Sequence, residues 1–161
     1  MPFNIQWVEN VLGDIDFKSL QTPAGQLMLH NQNGVIVQTD WLPSGSVNLP
    51  ADNELNQYWL NPYKIIKISL LKQGTPFRNK VWSMLCEIPF GETMTYSALA
   101  KKTDSSARAV GNACRDNPYA LFIPCHRVVS ISGMGGYCGQ TKGDLMEVKH
   151  KLLEFEANHK K

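Results

Sequence analysis

The sequence predicts an α+β protein: a small N-terminal antiparallel-sheet domain with one helix, then a mostly helical C-terminal domain with a helix-turn-helix, winged-helix-like motif. Two observations support this class. Strand-like runs around an Asn-Gly turn dominate the first part of the chain, and apolar residues at helical spacing dominate the second. Gly74-Thr75-Pro76 separates the two patterns, so we predict domains at residues 1–73 and 74–161.

A β-hairpin is predicted in the first domain, because residues 24–30 and 35–41 are strand-like and flank Asn33-Gly34, a pair favoured in tight hairpin turns. Asp52 can cap a short helix after the hairpin. That helix would pack on the sheet through its apolar side, Leu55, Tyr58 and Trp59. Ile65–Leu70 is typical of one further strand.

Three helices are predicted at the start of the second domain. Pro76, at a first helical position, introduces one of them. Residues 95–102 and 106–115 form two short helices around a polar turn, with Ser105 or Ser106 as the N-cap of the second. This order indicates a helix-turn-helix motif, although a plain helical hairpin is the commoner structure for such a pattern.

The run Leu121–Val129 is mostly apolar yet contains Cys125, His126 and Arg127. We interpret it as a strand. A cysteine in such a run is most often a small buried hydrophobe, but here Pro124 restrains the backbone and basic neighbours favour a thiolate. Because side chains alternate along a strand, His126 would reach the sulfur only through a water or a local turn, with a carboxylate behind the imidazole.

The chain is expected to end in an amphipathic helix after a glycine-rich loop. One face of that helix carries Leu145, Val148, Leu152 and Phe155.

Charge distribution and composition limit the functional classes. Residues 1–73 carry four Lys and Arg against six Asp and Glu, and residues 74–161 carry twelve against eight. Ordinary surface variation explains this difference in charge between the domains about as well as a functional role does. If the difference is functional, a polyanion would bind to the second domain. Without a signal or membrane segment, we expect a cytoplasmic location, or a nuclear one in a eukaryote, with four cysteine thiols. No zinc spacing or nucleotide fingerprint occurs, so no metal or other cofactor is expected.

Five short motifs occur in order along the second domain: GTPF, TYSALA, ARAVGNACRDNP, IPCHRVV and KLLEFE. Together they resemble the O6-alkylguanine-DNA alkyltransferases, or methylated-DNA–protein-cysteine methyltransferases, over residues 72–157. The resemblance implies DNA repair in which a monomer without a cofactor moves the alkyl group from O6 of guanine in double-stranded DNA to its own cysteine, once. It leaves O4-alkylthymine open as a second substrate.

The resemblance implies catalytic roles by position. Cys125 would accept the alkyl group, and His126 would be the base acting through water. Glu156 would orient the histidine, and Tyr96 would help to swing the nucleotide out and hydrogen-bond the guanine. Without the resemblance, Glu156 would be taken for a solvent-facing acid at a helix end.

The resemblance also implies how DNA is bound. Arg108 would fill the base stack once the damaged nucleotide has left, a task that suits a planar guanidinium. The recognition helix would enter the minor groove, and its other contact residues would be Ser106, Ala107, Ala109, Asn112 and Arg115. Phosphate contacts from a basic domain predict little sequence specificity.

The guanine pocket implied by the resemblance is lined by Met134, Tyr137, Cys138 and Lys149, although Lys149 could equally lie on a helix surface. Asn117 resembles a hinge between the recognition helix and the acceptor strand, and Arg127 a structural ion-pair partner. Cys138 and Gln140 depart from the usual family pattern, which leaves the breadth of substrates open.

Two other functions remain open. Non-catalytic alkyltransferase-like proteins bind alkylated DNA through the same motif but lack the acceptor cysteine, which this chain has as Cys125. A winged-helix regulator with an oxidant-sensing cysteine would explain a basic domain and a reactive thiol, but it leaves Glu156 and Tyr96 unexplained. The N-terminal domain has no visible site and is expected to be a scaffold.

Overall fold

The computed structural model describes residues 3–42 and 48–160. Contacts within the chain divide it into two compact units, Met1–Gln73 and Gly74–Lys161. The predicted α+β class is confirmed, because the first unit is built on a five-stranded sheet and the second is mostly helical. Among the helices in the described ranges, none is long and apolar enough to cross a membrane.

The N-terminal sheet has the strand order β1-β5-β4-β3-β2. The strands are β1 (Phe3–Val8), β2 (Ile15–Thr22), β3 (Gly25–Gln32), β4 (Val35–Leu42) and β5 (Ile66–Leu71). β3 and β4 pair antiparallel, and the turn residues Asn33 (φ 49°) and Gly34 (φ 81°) both have the left-handed conformation that a two-residue hairpin turn requires. The predicted hairpin is confirmed.

The sheet is mixed, whereas antiparallel pairing was predicted. β2, β3 and β4 are antiparallel neighbours, but β5 pairs in parallel with both β4 and β1. The chain between β4 and β5 contains a helix, and such a crossover returns it to the end of the sheet where a parallel strand starts. β1 and β2 escape prediction because their apolar residues are partly exposed, as Ile15 and Phe17 are.

The predicted N-terminal helix is α1 (Asn53–Asn56), which continues as a 3-10 turn through Trp59. Asp52 caps it, because its Oδ1 accepts a hydrogen bond from the Leu55 amide at 3.1 Å. Tyr58 is buried, and its ring centroid lies 4.9 Å from that of Phe3 in β1. The helix therefore packs on the sheet, as predicted.

The second unit contains, in order, α2 (Pro76–Cys86), β6 (Met94–Thr95), α3 (Tyr96–Lys102), α4 (Ala107–Arg115), β7 (Val128–Val129) and α5 (Asp144–Asn158). Thr75, Thr95 and Ser106 cap α2, α3 and α4, each accepting a hydrogen bond from the amide three residues later. Ser105 does not cap α4, because its hydroxyl bonds that of Thr103.

The predicted helix-turn-helix motif is formed by α3 and α4, which pack against each other, and Leu99 of α3 and Val110 of α4 are fully buried. The indole of Trp82 in α2 donates a hydrogen bond to the carbonyl of Ala113 in α4 at 2.8 Å, and this ties the motif to α2. β6 and β7 pair in parallel, with Thr95 opposite Val129. The start of α3 is thereby held beside the strand that follows Cys125.

Candidate active site and nucleic-acid interface

The segment that carries Cys125 is a 3-10 turn, Cys125–Arg127, so the predicted strand is wrong there. Pro124 (φ −80°, ψ 65°) bends the backbone, and the Cys125 amide donates to the carbonyl of Ile123 at 2.8 Å. Within the run Leu121–Val129, only Val128–Val129 forms a strand. Because the turn removes the alternation of a strand, the side chains of Cys125 and His126 are not forced onto opposite faces.

Asn117 joins the end of the recognition helix to this turn. Its Nδ2 donates to the carbonyl of Ile123 at 2.9 Å, and its Oδ1 accepts from the amide of Tyr119 at 2.9 Å. Between these anchor points, the buried Leu121 has a φ of 81°, a left-handed conformation that is costly for a residue with a Cβ. The two hydrogen bonds hold the backbone in this conformation, which is compatible with the predicted hinge role.

Cys125 is only 3% exposed and lines a cavity of about 190 Å³. Burial raises the pKa of its thiol, and a hydrogen bond from the Asn117 side chain and the positive charge of Lys149 oppose that rise without cancelling it. The resting group is therefore a thiol. A thiolate nucleophile forms only when a base removes the proton.

Glu156 holds the two basic side chains that follow Cys125. Its Oε2 lies 2.7 Å from His126 Nε2, and its Oε1 accepts from Arg127 Nε at 2.8 Å. Arg127 Nη2 donates to Oε2 at 3.0 Å, and Nη1 donates to the carbonyl of Ile88 at 2.8 Å. Burial raises the pKa of Glu156, but the charges and hydrogen bonds of His126 and Arg127 outweigh it and lower the pKa to about 2. The carboxylate is thus ionised.

The hydrogen bond to Glu156 determines which nitrogen of His126 can act as a base. A carboxylate accepts, so Nε2 carries the hydrogen and Nδ1 carries the lone pair. Nδ1 is buried and has no hydrogen-bond partner among the residues that the structure describes. Burial lowers the pKa of His126, and Glu156 opposes this without cancelling it. The imidazole is therefore neutral at rest, with a free lone pair.

Lys149 is fully buried, so the alternative of a surface lysine is wrong. Its Nζ donates to three carbonyls, those of Val128 at 2.6 Å, Met134 at 2.5 Å and Gly136 at 2.8 Å. Burial is the largest influence on this ammonium and lowers its pKa to about 8. The side chain ties α5 to β7 at Val128 and to the glycine-rich loop at Met134 and Gly136, and it brings a positive charge close to Cys125.

The cavity beside Cys125 contains some of the predicted pocket residues. Tyr137 and Cys138 line it, together with Tyr96 of α3. Neither Met134 nor Lys149 is among the described residues that line it, and both instead shape the loop through the Lys149 hydrogen bonds. Burial raises the pKa of Tyr96 to about 12, so its phenol keeps the proton that a hydrogen-bond donor needs.

The recognition helix α4 presents the predicted DNA-contacting residues to solvent. Arg108 is exposed, and so are four others of the predicted set, Ser106, Ala107, Asn112 and Arg115, while Ala109 is half-buried. A groove of about 460 Å³ runs beside the start of the helix and is lined by Ala107 and Arg108. Tyr96, Gly111 and Gly136 line this groove as well as the cavity of Cys125. The exposed helix and the buried thiol are therefore neighbours.

Comparisons with known proteins agree with this arrangement. Residues 76–158 match the family described as 6-O-methylguanine DNA methyltransferase, DNA binding domain. A methylated-DNA–protein-cysteine methyltransferase of Methanosarcina mazei is 35% identical over 138 residues, which are 84% of each chain. The chain belongs to the methylated-DNA–protein-cysteine methyltransferase family.

Solved alkyltransferase structures share the fold of this family member. The crystal structure of the Mycobacterium tuberculosis O6-methylguanine methyltransferase superimposes with a TM-score of 0.74 at 30% identity, covering 92% of this chain and 96% of that one. The M. tuberculosis OGT in complex with DNA gives a TM-score of 0.70 at 32% identity, covering 88% and 92%. The chain thus carries the DNA-binding domain of the family within a shared fold.

Several residues that line the Cys125 cavity and the groove beside α4 are not foreseen from the sequence. Gly111, Cys114 and Thr141 line the cavity, and Ser97, Ser130 and Ile131 line the groove. Helical spacing offers a signal for Gly111, which lies three positions after Arg108 on α4, but not for Cys114, which lies on the buried side of the helix with Val110. The loop residues Ser130, Ile131 and Thr141 offer no such signal, because their positions depend on how the chain returns after β7.

Proposed function

We propose that this chain repairs DNA by transferring the alkyl group from O6 of an alkylated guanine to Sγ of Cys125, once per molecule. The relatives are named for methyl transfer from methylated DNA to a protein cysteine. The observation that carries the assignment to Cys125 is the buried contact between His126 and Glu156, which leaves a basic nitrogen next in sequence to a thiol that lines a cavity.

The first step is removal of the thiol proton. Both groups start neutral, because burial raises the pKa of Cys125 and lowers that of His126. The proton passes through one water to His126 Nδ1, and the Glu156 carboxylate stabilises the imidazolium through Nε2. Lys149 favours the thiolate by its charge. General-base assistance of this kind typically contributes about 10²–10⁴-fold.

The second step is displacement at the alkyl carbon. The thiolate sulfur forms a bond to that carbon while the bond between the carbon and O6 breaks, and guanine leaves with the electron pair. Tyr96 donates a hydrogen bond to the leaving base, which finally takes up one proton. The net change exchanges the thiol proton for the alkyl group, so the protein is used up and needs no cofactor.

The DNA-contacting surface suits a search for damage at any sequence. Arg108 enters the base stack in place of the everted nucleotide, while the small side chains Ala107 and Ala109 let α4 lie close in the minor groove. Backbone contacts make binding sensitive to salt and nearly indifferent to sequence. The protein acts as a monomer in a reducing compartment, the cytoplasm or a nucleus, where the acceptor stays a thiol.

To test the function, the purified protein is mixed with a duplex containing one O6-methylguanine, and the mass of the peptide that contains Cys125 is then measured. We expect that peptide to gain one methyl group, and the Cys125→Ala variant to gain none. Cys114→Ala and Cys138→Ala are matched controls, because both thiols line the same cavity, and both variants should still be methylated at Cys125.

Other outcomes would assign other functions. Tight binding of the methylated duplex with no mass change would indicate a non-catalytic damage sensor. Methylation of Cys114 or Cys138 in the wild-type protein would show that the acceptor is wrongly assigned. Release of DNA on oxidation, without methyl transfer, would support an oxidant-sensing regulator.

A further inference from the structure

Ile131 is an apolar residue in an unusual place. It is 81% exposed and is the second residue after β7, in the loop that leads away from Cys125. Ser130 and Gly133 bracket it in a tight turn, since the Ser130 hydroxyl donates to the Gly133 carbonyl at 3.1 Å and the two residues form an isolated β-bridge. The turn therefore presents Ile131 to solvent from a fixed backbone.

The surroundings of Ile131 connect it to the DNA-contacting surface. It lines the same groove of about 460 Å³ as Arg108 and Ala107 at the start of α4. Tyr96 and Gly136 line both this groove and the cavity of Cys125. An alkylated nucleotide that reaches Cys125 through this region brings its neighbours in the strand close to the groove.

A single exposed isoleucine needs no explanation on most protein surfaces. Leu60, 87% exposed in the N-terminal unit, is such a residue, since it lines neither of these two cavities. Ile131 differs because it shares a groove with a cation on a DNA-binding helix. Proteins that bind the minor groove commonly combine a cation with an apolar side chain that packs against sugars or between bases.

We propose that Ile131 is a second DNA-contacting residue, which packs against the deoxyribose of a nucleotide next to the everted one. The proposal rests on the proposed function, because it takes the DNA to lie along α4. Arg108 supplies charge and fills the base stack, whereas Ile131 supplies apolar contact and removes its own side chain from water. Because the neighbouring sugar stays in the strand, the contact stabilises the protein on the duplex before the damaged nucleotide leaves it as well as after.

The test compares Ile131→Ser and Ile131→Leu with Leu60→Ser as a control for loss of an exposed apolar residue. We expect Ile131→Ser to weaken binding of an undamaged duplex, and to slow methyl transfer from O6-methylguanine in a duplex at subsaturating DNA, by about fivefold to twentyfold, as partial burial of one isoleucine allows. Ile131→Leu should restore both, and Leu60→Ser should change neither.

Two further measurements separate a DNA contact from a structural role. The slope of log binding constant against log salt should stay the same in Ile131→Ser, because no charge is lost. The rate at which iodoacetamide labels Cys125 without DNA should also stay the same, since the cavity is intact. Slower labelling, or a lowered melting temperature, would overturn the proposal by showing that Ile131 supports the fold.

The proposal and the proposed function fail in different ways. If Ile131→Ser binds the undamaged duplex as tightly as the wild type, Ile131 makes no contact, whatever happens at Cys125. If the wild type binds DNA but Cys125 is never methylated, the proposed function fails, and the binding comparison still decides the role of Ile131.

Discussion

His126 and Glu156 lie thirty positions apart in the chain, yet His126 Nε2 is 2.7 Å from Glu156 Oε2, and both side chains are buried. Arg127 bonds the same carboxylate through two nitrogens. One acid on helix α5 therefore pairs with the buried Arg127 and also hydrogen-bonds His126, the proposed base for the Cys125 thiol. Stability and chemistry should consequently respond together when Glu156 is changed.

Glu156→Gln should slow methyl transfer by about a hundredfold, because a neutral amide stabilises the imidazolium poorly and can bind the wrong tautomer. It should also lower the free energy of unfolding by about 3 kcal/mol, because Arg127 is left buried without its counter-charge. Single-turnover kinetics and urea unfolding measure the two effects. Glu154→Gln, at an exposed site on the same helix, is the control and should leave both near wild type. Unchanged transfer in Glu156→Gln would contradict the proposed role.

Stability should depend on acid pH through the same carboxylate. The pKa of Glu156 is lowered from 4.5 to about 2 in the folded protein, so its contribution is complete above pH 4.5 and is lost as the pH falls towards 2. Unfolding measured across this window should show a steeper loss of stability in the wild type than in Glu156→Gln. Parallel curves for the two proteins would mean that another group dominates acid unfolding.

Lys149→Met should loosen the loop between β7 and Tyr137, because three carbonyls lose their shared ammonium donor. Hydrogen exchange of the loop amides should become faster, and methyl transfer should slow by about tenfold or more, as expected when charged hydrogen bonds of about 1.5–3 kcal/mol are lost. Lys151→Met, at an exposed position two residues later, is the matched control. Faster exchange in both variants would point to a general effect on α5.

Arg108 should affect base eversion more than binding. Arg108→Lys keeps the charge but loses the planar fork, so it should bind an undamaged duplex almost normally and transfer methyl groups about tenfold more slowly. Arg108→Ala should also reduce the salt slope of binding by about one. Fluorescence anisotropy at several salt concentrations and single-turnover kinetics give the two quantities. If Arg108→Lys and the wild type transfer methyl groups at the same rate, Arg108 contacts phosphate and does not fill the base stack.

Surface changes in the N-terminal unit should leave transfer intact, in keeping with a scaffold role. Leu12→Ser and Lys67→Ala change exposed side chains and should give wild-type rates with the methylated duplex. Circular dichroism would confirm that each variant is folded. A folded variant that transfers slowly would show that this unit contributes to the reaction.

Local chemistry explains which elements could be predicted. The hairpin at Asn33-Gly34 and the capped helix after Asp52 depend on neighbouring residues only, and both are present. The acceptor segment could not be predicted, because an apolar run suits a strand equally well and the turn at Cys125 depends on Asn117 holding the Ile123 carbonyl. The parallel pairing of β5 likewise depends on partners distant in the chain.

The sequence by itself indicated the family and led to the proposal of Cys125 as the acceptor, since the five ordered motifs are local patterns of side chains. It also indicated that His126 needs a carboxylate behind its imidazole. The family resemblance implied that Glu156 is that carboxylate, but the residue pattern alone did not separate it from Glu154. The tertiary structure separates them, because helix α5 turns Glu156 into the core and Glu154 to solvent. The structure likewise decided that Lys149 is buried and that Ile131 shares a groove with Arg108. Burial and distance between remote residues arise from packing, and no local pattern of residues contains them.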